Sequence, residues 1–226
     1  MTHHSGREPS PIHLEASPMG EPHHERAVCE PINGVCALVL AAGQGSRYRE
    51  RIDEDKLLVS SNGLPDAPAV LAVTLSALVG VVENTVVVTR TDNHALLAWL
   101  GDARPSGAEV FAVHSNGLGH SLAQAVARYP AAQGWLVVLG DMPYVRPETI
   151  RRIASEIEPD RLIVPRHQGQ RGNPRGIGAN HRAALLALDG ERGAQALFAN
   201  ASVFEIEVDD EGVLQDIDRP EDRRTL

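Results

Sequence analysis

Cysteine is scarce in this 226-residue chain: Cys29 and Cys36 are the only two, seven positions apart. That spacing makes neither a CxxC redox pair nor a repeated metal-ligand pattern, so Cys36 is expected as a core thiol and Cys29 outside the fold. An excess of positive charge is also missing. A formal net charge of −9 argues against non-specific binding to nucleic acid or to an anionic membrane, since both need a broad positive field. Any anionic ligand must therefore meet a local cluster of basic groups. There is no run of eighteen apolar residues, and residues 1–30 lack the apolar stretch of a signal peptide. No bilayer span is expected, and the cytoplasm is the expected location.

What is present is enough apolar material for one core. Hydrophobic residues make up 42% of the chain and charged residues 23%, which suits a single domain of about 190 residues with an appendage. The appendage is expected at residues 1–34, rich in proline, histidine and glutamate and without sustained periodicity. Five of the ten histidines fall there, His3, His4, His13, His23 and His24. A passive leader is the simple account of them, and weak transition-metal binding the alternative.

Residues 35–226 alternate short apolar runs with amphipathic segments. The runs "VCALVLA", "NTVVVT", "AEVFAV", "GWLVVLG" and "RLIVP" predict strands, with "SVFEIEV" as a terminal one. Helices are predicted near 68–79, 93–100, 119–129, 147–157, 180–188 and 193–199. Strands apolar throughout, each followed by a helix, imply an α/β fold with a mostly parallel sheet covered on both faces. In such sheets ligands bind beyond the carboxyl ends of the strands, where connectivity reverses. That directs attention to the loops after Leu40, Val113 and Leu139.

The first of these loops reads "AAGQGSR" and offers Gly43 and Gly45, where a missing Cβ lets backbone N–H groups approach an anion. It is not a GxxxxGK[ST] loop, and Tyr48 stands where a GxGxxG motif needs its third glycine. A pair of glycines after a strand serves equally as a tight turn. Next come Arg47, Arg49, Arg51 and Lys56 against Glu50, Asp53, Glu54 and Asp55. These charges cancel, so a triphosphate must be held by position: a planar fork at Arg47 and a point charge at Lys56. A solvated surface helix is the rival account of residues 49–55.

"WLVVLGDMP" places Asp141 just past an apolar strand. A carboxylate there holds Mg²⁺ with few protein ligands, leaving water and phosphate oxygens to complete the shell; capping the next turn is the other use of such an aspartate. "QDIDRPED" adds Asp216 and Asp218, on one face if that segment is extended. A glycine loop, a Lys/Arg pair and two carboxylate positions, with no Ser/His/Asp nucleophile in view, suit a transfer in which the protein positions and neutralises phosphates.

Six segments in order, "LVLAAGQGSR" with "DKLL", "NGLGHSLAQAV", "LVVLGDMPYV", "RGNPRGIG", "LDGERGAQAL" and "DIDRPED", resemble the nucleotidyltransferases related to molybdenum cofactor cytidylyltransferase, relatives of the molybdopterin guanylyltransferases. The resemblance covers nearly all of residues 35–226. It implies a Rossmann-like three-layer α/β/α domain that binds an NTP and Mg²⁺. A phosphate monoester such as molybdopterin cofactor then attacks the α-phosphate in line, and pyrophosphate leaves. By the same resemblance Leu40, Ala41, Ala42 and Gly43 lie at base and ribose, and Gly45, Ser46, Arg47 and Lys56 hold the triphosphate. Gly117, His120, Ser121 and Leu122 form a second nucleotide-side motif. Asp141 and Asp218 bind the metal with Asp216 in reserve, which leaves Arg47, Lys56 and Asp141 as the catalytic set. Asn173, Pro174 and Gly193 face the acceptor. A methyl group at Ala42, where guanylyl relatives usually carry glycine, narrows the base pocket toward CTP.

The chain departs from the family pattern in three places. Lys56 follows Arg47 by nine positions instead of a short link, Asn173 replaces a histidine, and "GERGAQ" replaces "GDxGAR". A different phosphate acceptor, such as a sugar phosphate or phospholactate, and a silent cofactor carrier contacting a molybdoenzyme or its chaperone, remain alternatives.

Overall fold

The computed structural model describes Met1 and residues 34–103, 107–199 and 201–224. The expected arm, with its five histidines and Cys29, lies outside the described residues except for Met1 and Gly34. Eight strands form one sheet: β1 (Val35–Leu40), β2 (Asn84–Arg90), β3 (Glu109–Val113), β4 (Gly134–Leu139), β5 (Leu162–His167), β6 (Gln170–Arg171), β7 (Arg175–Gly178) and β8 (Phe204–Glu207). The order is β3-β2-β1-β4-β7-β5-β6, with β8 paired to β5. The pairs β1/β2, β1/β4, β2/β3 and β5/β8 are parallel. The helices are α1 (Ser46–Arg49), α2 (Val70–Ser76), α3 (His94–Ala103), α4 (Leu118–Arg128), α5 (Pro147–Ser155), α6 (Arg182–Leu186) and α7 (Gln195–Ala199).

Alternating side chains of β1 feed two cores. Ala37 and Val39 pack with Leu71 and Leu75 of α2, Leu96 of α3 and Ile153 of α5. Cys36, Leu38 and Leu40 pack with Leu122 and Val126 of α4, Leu185 of α6 and Phe198 of α7. Helices on both faces are the reason the central strands are apolar at every position, and they give the three-layer α/β/α arrangement expected from the sequence. Cys36 is a fully buried free thiol, and burial, then the charge of Glu109, push it up to about 12. It is inert core material, as its position in a strand implies.

Two strands escaped the sequence pattern. The pair β6 and β7 runs antiparallel to its neighbours, with β7 wedged between β4 and β5. Its sequence "RGIG" has two glycines and reads as a loop by propensity. Packing requires them: a Cβ on Gly176 would lie 2.9 Å from Cγ1 of Ile157 and 3.1 Å from Ile163.

Connectivity reverses between β1 and β4. The chain leaves β1 toward β2 and β3 on one side and later returns with β4 on the other. Their carboxyl ends, at Leu40 and Leu139, are paired, so the glycine loop and Asp141 emerge side by side at the switch point.

Candidate functional site

Three segments distant in sequence meet above β1 and β4. Lys56 places Nζ 2.6 Å from Oδ2 of Asp141 and 3.1 Å from Oδ1 of Asp218, while Arg47 donates from Nη1 to Oδ2 of Asp218. The segment carrying Asp218 is pinned by its neighbour Ile217, whose side chain is fully buried and whose N–H donates to the Asp141 carbonyl at 2.9 Å. A buried residue between Asp216 and Asp218 leaves both carboxylates on the opposite side, turned toward Asp141.

The electrostatics follow from this crowding. Burial pulls the Lys56 ammonium down, but Asp141 and then Asp218 outweigh it and hold the group above its ordinary value. Burial likewise pushes the Asp218 carboxyl up, yet hydrogen bonds and charge from Lys56 and Arg47 bring it below the usual range. Asp216 has no cation hydrogen-bonded to it among the described residues; burial first, then the charge of Asp141, raise its carboxyl, and the charge of Lys56 offsets only part of that. The raised and lowered carboxylates stand two residues apart, which marks the site as one of concentrated negative charge.

Asp141, Asp216 and Asp218 each offer an oxygen, all within 4.8 Å of one another. Oδ1 of Asp141 is buried and has no hydrogen-bond partner among the described residues. A hard oxygen donor set with one orphaned buried oxygen fits a divalent cation such as Mg²⁺ or Mn²⁺.

The other expected residues distribute over three neighbouring cavities. Gly45, Ser46, Arg47, Lys56 and Asp218 line the first, of about 170 Å³, together with Tyr48. Gly45 has φ +61°, and a Cβ there would lie 3.7 Å from the Lys56 stem, so a side chain is strained and in contact with the lysine. Ala42, Gly43 and Gly117 line a narrow second cavity with Gln44, Arg90, Ser115, Leu118 and Glu191. Leu40 and Leu122, expected near the nucleotide, line a third cavity of about 140 Å³ together with Asn173 and Gly193.

Four residues expected on the nucleotide or acceptor side line none of these. Ser121 is fully buried, and its hydroxyl donates to Oγ of Ser115 at 2.7 Å. It shapes the loop before α4. His120 accepts the Asn116 N–H on Nδ1 at 3.4 Å, and Pro174 is buried. Ala41 is core. Residues absent from the sequence reading line a roomier cavity, about 630 Å³ beyond β2 and β3: Gln44, Arg90, Thr91, Asp92, His94 and His114 among them. Their signal was the loop after Val113, at a strand end.

From Arg49 to Asp55 the chain leaves α1 through turns with Arg49, Glu50, Arg51, Asp53 and Glu54 exposed, and it is anchored at both ends. Tyr48 is 1% exposed within the core, and Asp55 accepts the Leu57 N–H at 3.0 Å and Nδ2 of Asn93 at 2.7 Å. These anchors deliver Lys56 into the site across the long link.

A family model described as a MobA-like NTP transferase domain matches residues 37–206. The chain belongs to that family. Among solved structures, Rv0371c from Mycobacterium tuberculosis H37Rv is 28% identical with a TM-score of 0.70, over 84% of this chain and 95% of that one. Its manganese complex matches at 27% identity and a TM-score of 0.67, over the same shares of the two chains. A nucleotidyl transferase from Methanothermobacter thermautotroptrophicus shares the fold at 23% identity and a TM-score of 0.69, over 84% of this chain and 94% of that one. No curated protein matches the chain in sequence. Among the described residues no helix is long and apolar enough to cross a membrane.

Proposed function

We propose that this MobA-like domain is a Mg²⁺-dependent nucleotidyltransferase that transfers CMP from CTP to the phosphate monoester of a molybdopterin-type cofactor. The observation that carries the reading is the meeting of Lys56 and Arg47 with Asp141 and Asp218 beside the glycine loop. A phosphate oxygen of the acceptor attacks the α-phosphorus. The bond from that phosphorus to the bridging oxygen breaks, and pyrophosphate leaves with the electron pair.

In this reading Gly43 and Gly45 let the backbone lie close to the triphosphate, and Arg47 and Lys56 hold its oxygens and balance charge on the leaving pyrophosphate. Asp141 and Asp218, with Asp216, would hold the divalent ion. When bound, that ion neutralises phosphate oxygens and polarises the phosphorus toward attack. Fixed donors and cations that need little rearrangement suit a reaction in which positioning does most of the work. Ala42, Gly43 and Gly117 take the nucleoside, and the base extends toward the cavity beyond β2 and β3. Asn173 and Gly193 border the acceptor.

The same chemistry on a smaller phosphate monoester is the second reading, favoured by the modest third cavity of about 140 Å³. A pyrophosphate-release assay crossing CTP, GTP, ATP and UTP with molybdopterin cofactor and several sugar phosphates tests both. Release with CTP, metal and molybdopterin alone supports the first reading. Release only with another monoester moves the acceptor, and no release with any pair overturns the enzyme reading.

A further inference from the structure

The third cavity contains a cation with no carboxylate paired to it among the described residues. Arg175, at the start of β7, is half-buried and lines this cavity with Leu40, Leu118, Leu122, Val137 and Asn173. Its register partner on β4 is Val137, so its side chain lies on the α4 face of the sheet among apolar groups. Its guanidinium sits over the Phe198 ring, 4.6 Å from the centroid. It makes no ion pair or hydrogen bond with any described residue. The neighbouring Arg171 is different: Glu205 engages it at 2.7 Å.

A guanidinium removed from water without a carboxylate is costly. Stacking on Phe198 offsets part of that cost and fixes the plane of the fork, leaving its N–H edge for another group. Burial, then repulsion from Arg171, push Arg175 below its ordinary value, although a guanidinium stays charged at neutral pH. Glu191 lines the same cavity but is exposed, and solvent weakens its influence on a buried anion.

Val137 lies two residues before the end of β4 at Leu139, so Arg175 sits about 7 Å down the strand from the tip that leads to Asp141. A small molecule spans that distance. We propose that Arg175 binds a second anionic group of the acceptor, so that the substrate is a phosphate monoester with its reacting phosphate near Asp141 and a carboxylate or similar anion on the Arg175 fork. This rests on the nucleotidyltransferase reading and narrows its acceptor class. The five-donor fork matches a carboxylate in two parallel hydrogen bonds, which gives orientation as well as affinity.

The test compares 3-phosphoglycerate with glycerol 3-phosphate, which differ in a carboxylate against a hydroxymethyl group. Affinities are measured by calorimetry on the full chain with Mg²⁺ and a non-hydrolysable CTP analogue, for the natural protein, Arg175→Gln and Arg175→Lys. The expected result is at least about tenfold tighter binding of the carboxylate probe, a ratio near one in Arg175→Gln and an intermediate ratio in Arg175→Lys. Equal affinities in the natural protein, no binding of either probe, or a ratio unchanged by Arg175→Gln overturn the proposal. If Arg175→Gln fails to fold, Arg175→Lys carries the comparison. The CTP analogue reports separately on the donor site. Its failure to bind the natural protein sinks the enzyme reading, whereas intact analogue binding without a carboxylate preference sinks only the role of Arg175.

Discussion

Lys56 and Asp141, 85 residues apart in sequence, lie 2.6 Å from each other at the point where the sheet reverses direction. The lysine is 12% exposed and the aspartate 18%, so the pair is far drier than a surface ion pair and correspondingly sensitive to loss of one partner. The ammonium sits where three carboxylates converge, and it gives the cluster a counter-charge that a divalent ion and a triphosphate would redistribute.

Asp141→Asn keeps the shape of the side chain and removes its charge. Metal-dependent pyrophosphate release from CTP is expected to fall by about 100-fold or more, the scale seen when one electrostatic stabiliser of a transfer reaction is lost. Turnover near that of the natural protein would remove Asp141 from the metal site. Circular dichroism and a melting curve show whether the fold persists.

Asp216 tests the balance between stability and metal binding. Its carboxyl is raised by burial and by Asp141, so wherever it is ionised in the folded protein that charge costs folding free energy. Asp216→Asn removes that cost. Since the carboxylate is exposed, solvent screening trims the gain to about 0.5 kcal/mol, or about 1–2 °C in Tm for a chain of this length. The gain disappears as pH falls through the folded pKa toward the unfolded one, where the aspartate is neutral in both states. Metal affinity, read by calorimetry, is expected to drop. Unchanged metal affinity with a higher Tm would leave Asp141 and Asp218 as the only ligands.

How much of this was legible depends on whether a signal is local. Asp141 and Asp218 announced themselves by sitting at a strand end and in a short acidic segment, and the glycine loop by following a buried strand. β7 did not, because its glycines answer to Ile157 and Ile163, which only the folded sheet brings close. That Leu40 and Leu122 share the third cavity with Asn173 and Gly193 follows from strand alternation and the face of α4, which their neighbours in sequence do not reveal. Arg175 gave no signal in the sequence, since lacking an ion-pair partner is a property of the surroundings. Ser121 lay inside a recognisable motif, but burial gave its hydroxyl to Ser115.

Ala42→Gly tests the base gate. One methyl in a pocket is worth about 1–3 kcal/mol, or roughly 10–200-fold. In the natural protein CTP with metal is expected to raise Tm more than GTP, ATP or UTP, because the tightest ligand stabilises most. In Ala42→Gly the GTP shift is expected to approach that of CTP. An equal GTP shift in the natural protein would show that Ala42 does not select the base.

Two glycines separate the scaffold from the ligand site. Gly117 has φ +151°, and a Cβ there would lie 2.6 Å from the backbone carbon and oxygen of Gly190. Neither atom can swing aside as a side chain would, so Gly117→Ala must move the 190–191 turn, at a cost of about 1–3 kcal/mol. Because Glu191 in that turn borders both the second and third cavities, the lower Tm is expected together with weaker binding of CTP and of the acceptor. Gly43 is the opposite case: its φ is not left-handed, and a Cβ would meet nothing within 4 Å. Gly43→Ala is therefore expected to leave Tm within about 1 °C of the natural value, while its methyl group occupies the space a nucleotide needs and CTP affinity falls. A Gly43→Ala protein that binds CTP as well as the natural chain would place the nucleotide elsewhere than against this loop.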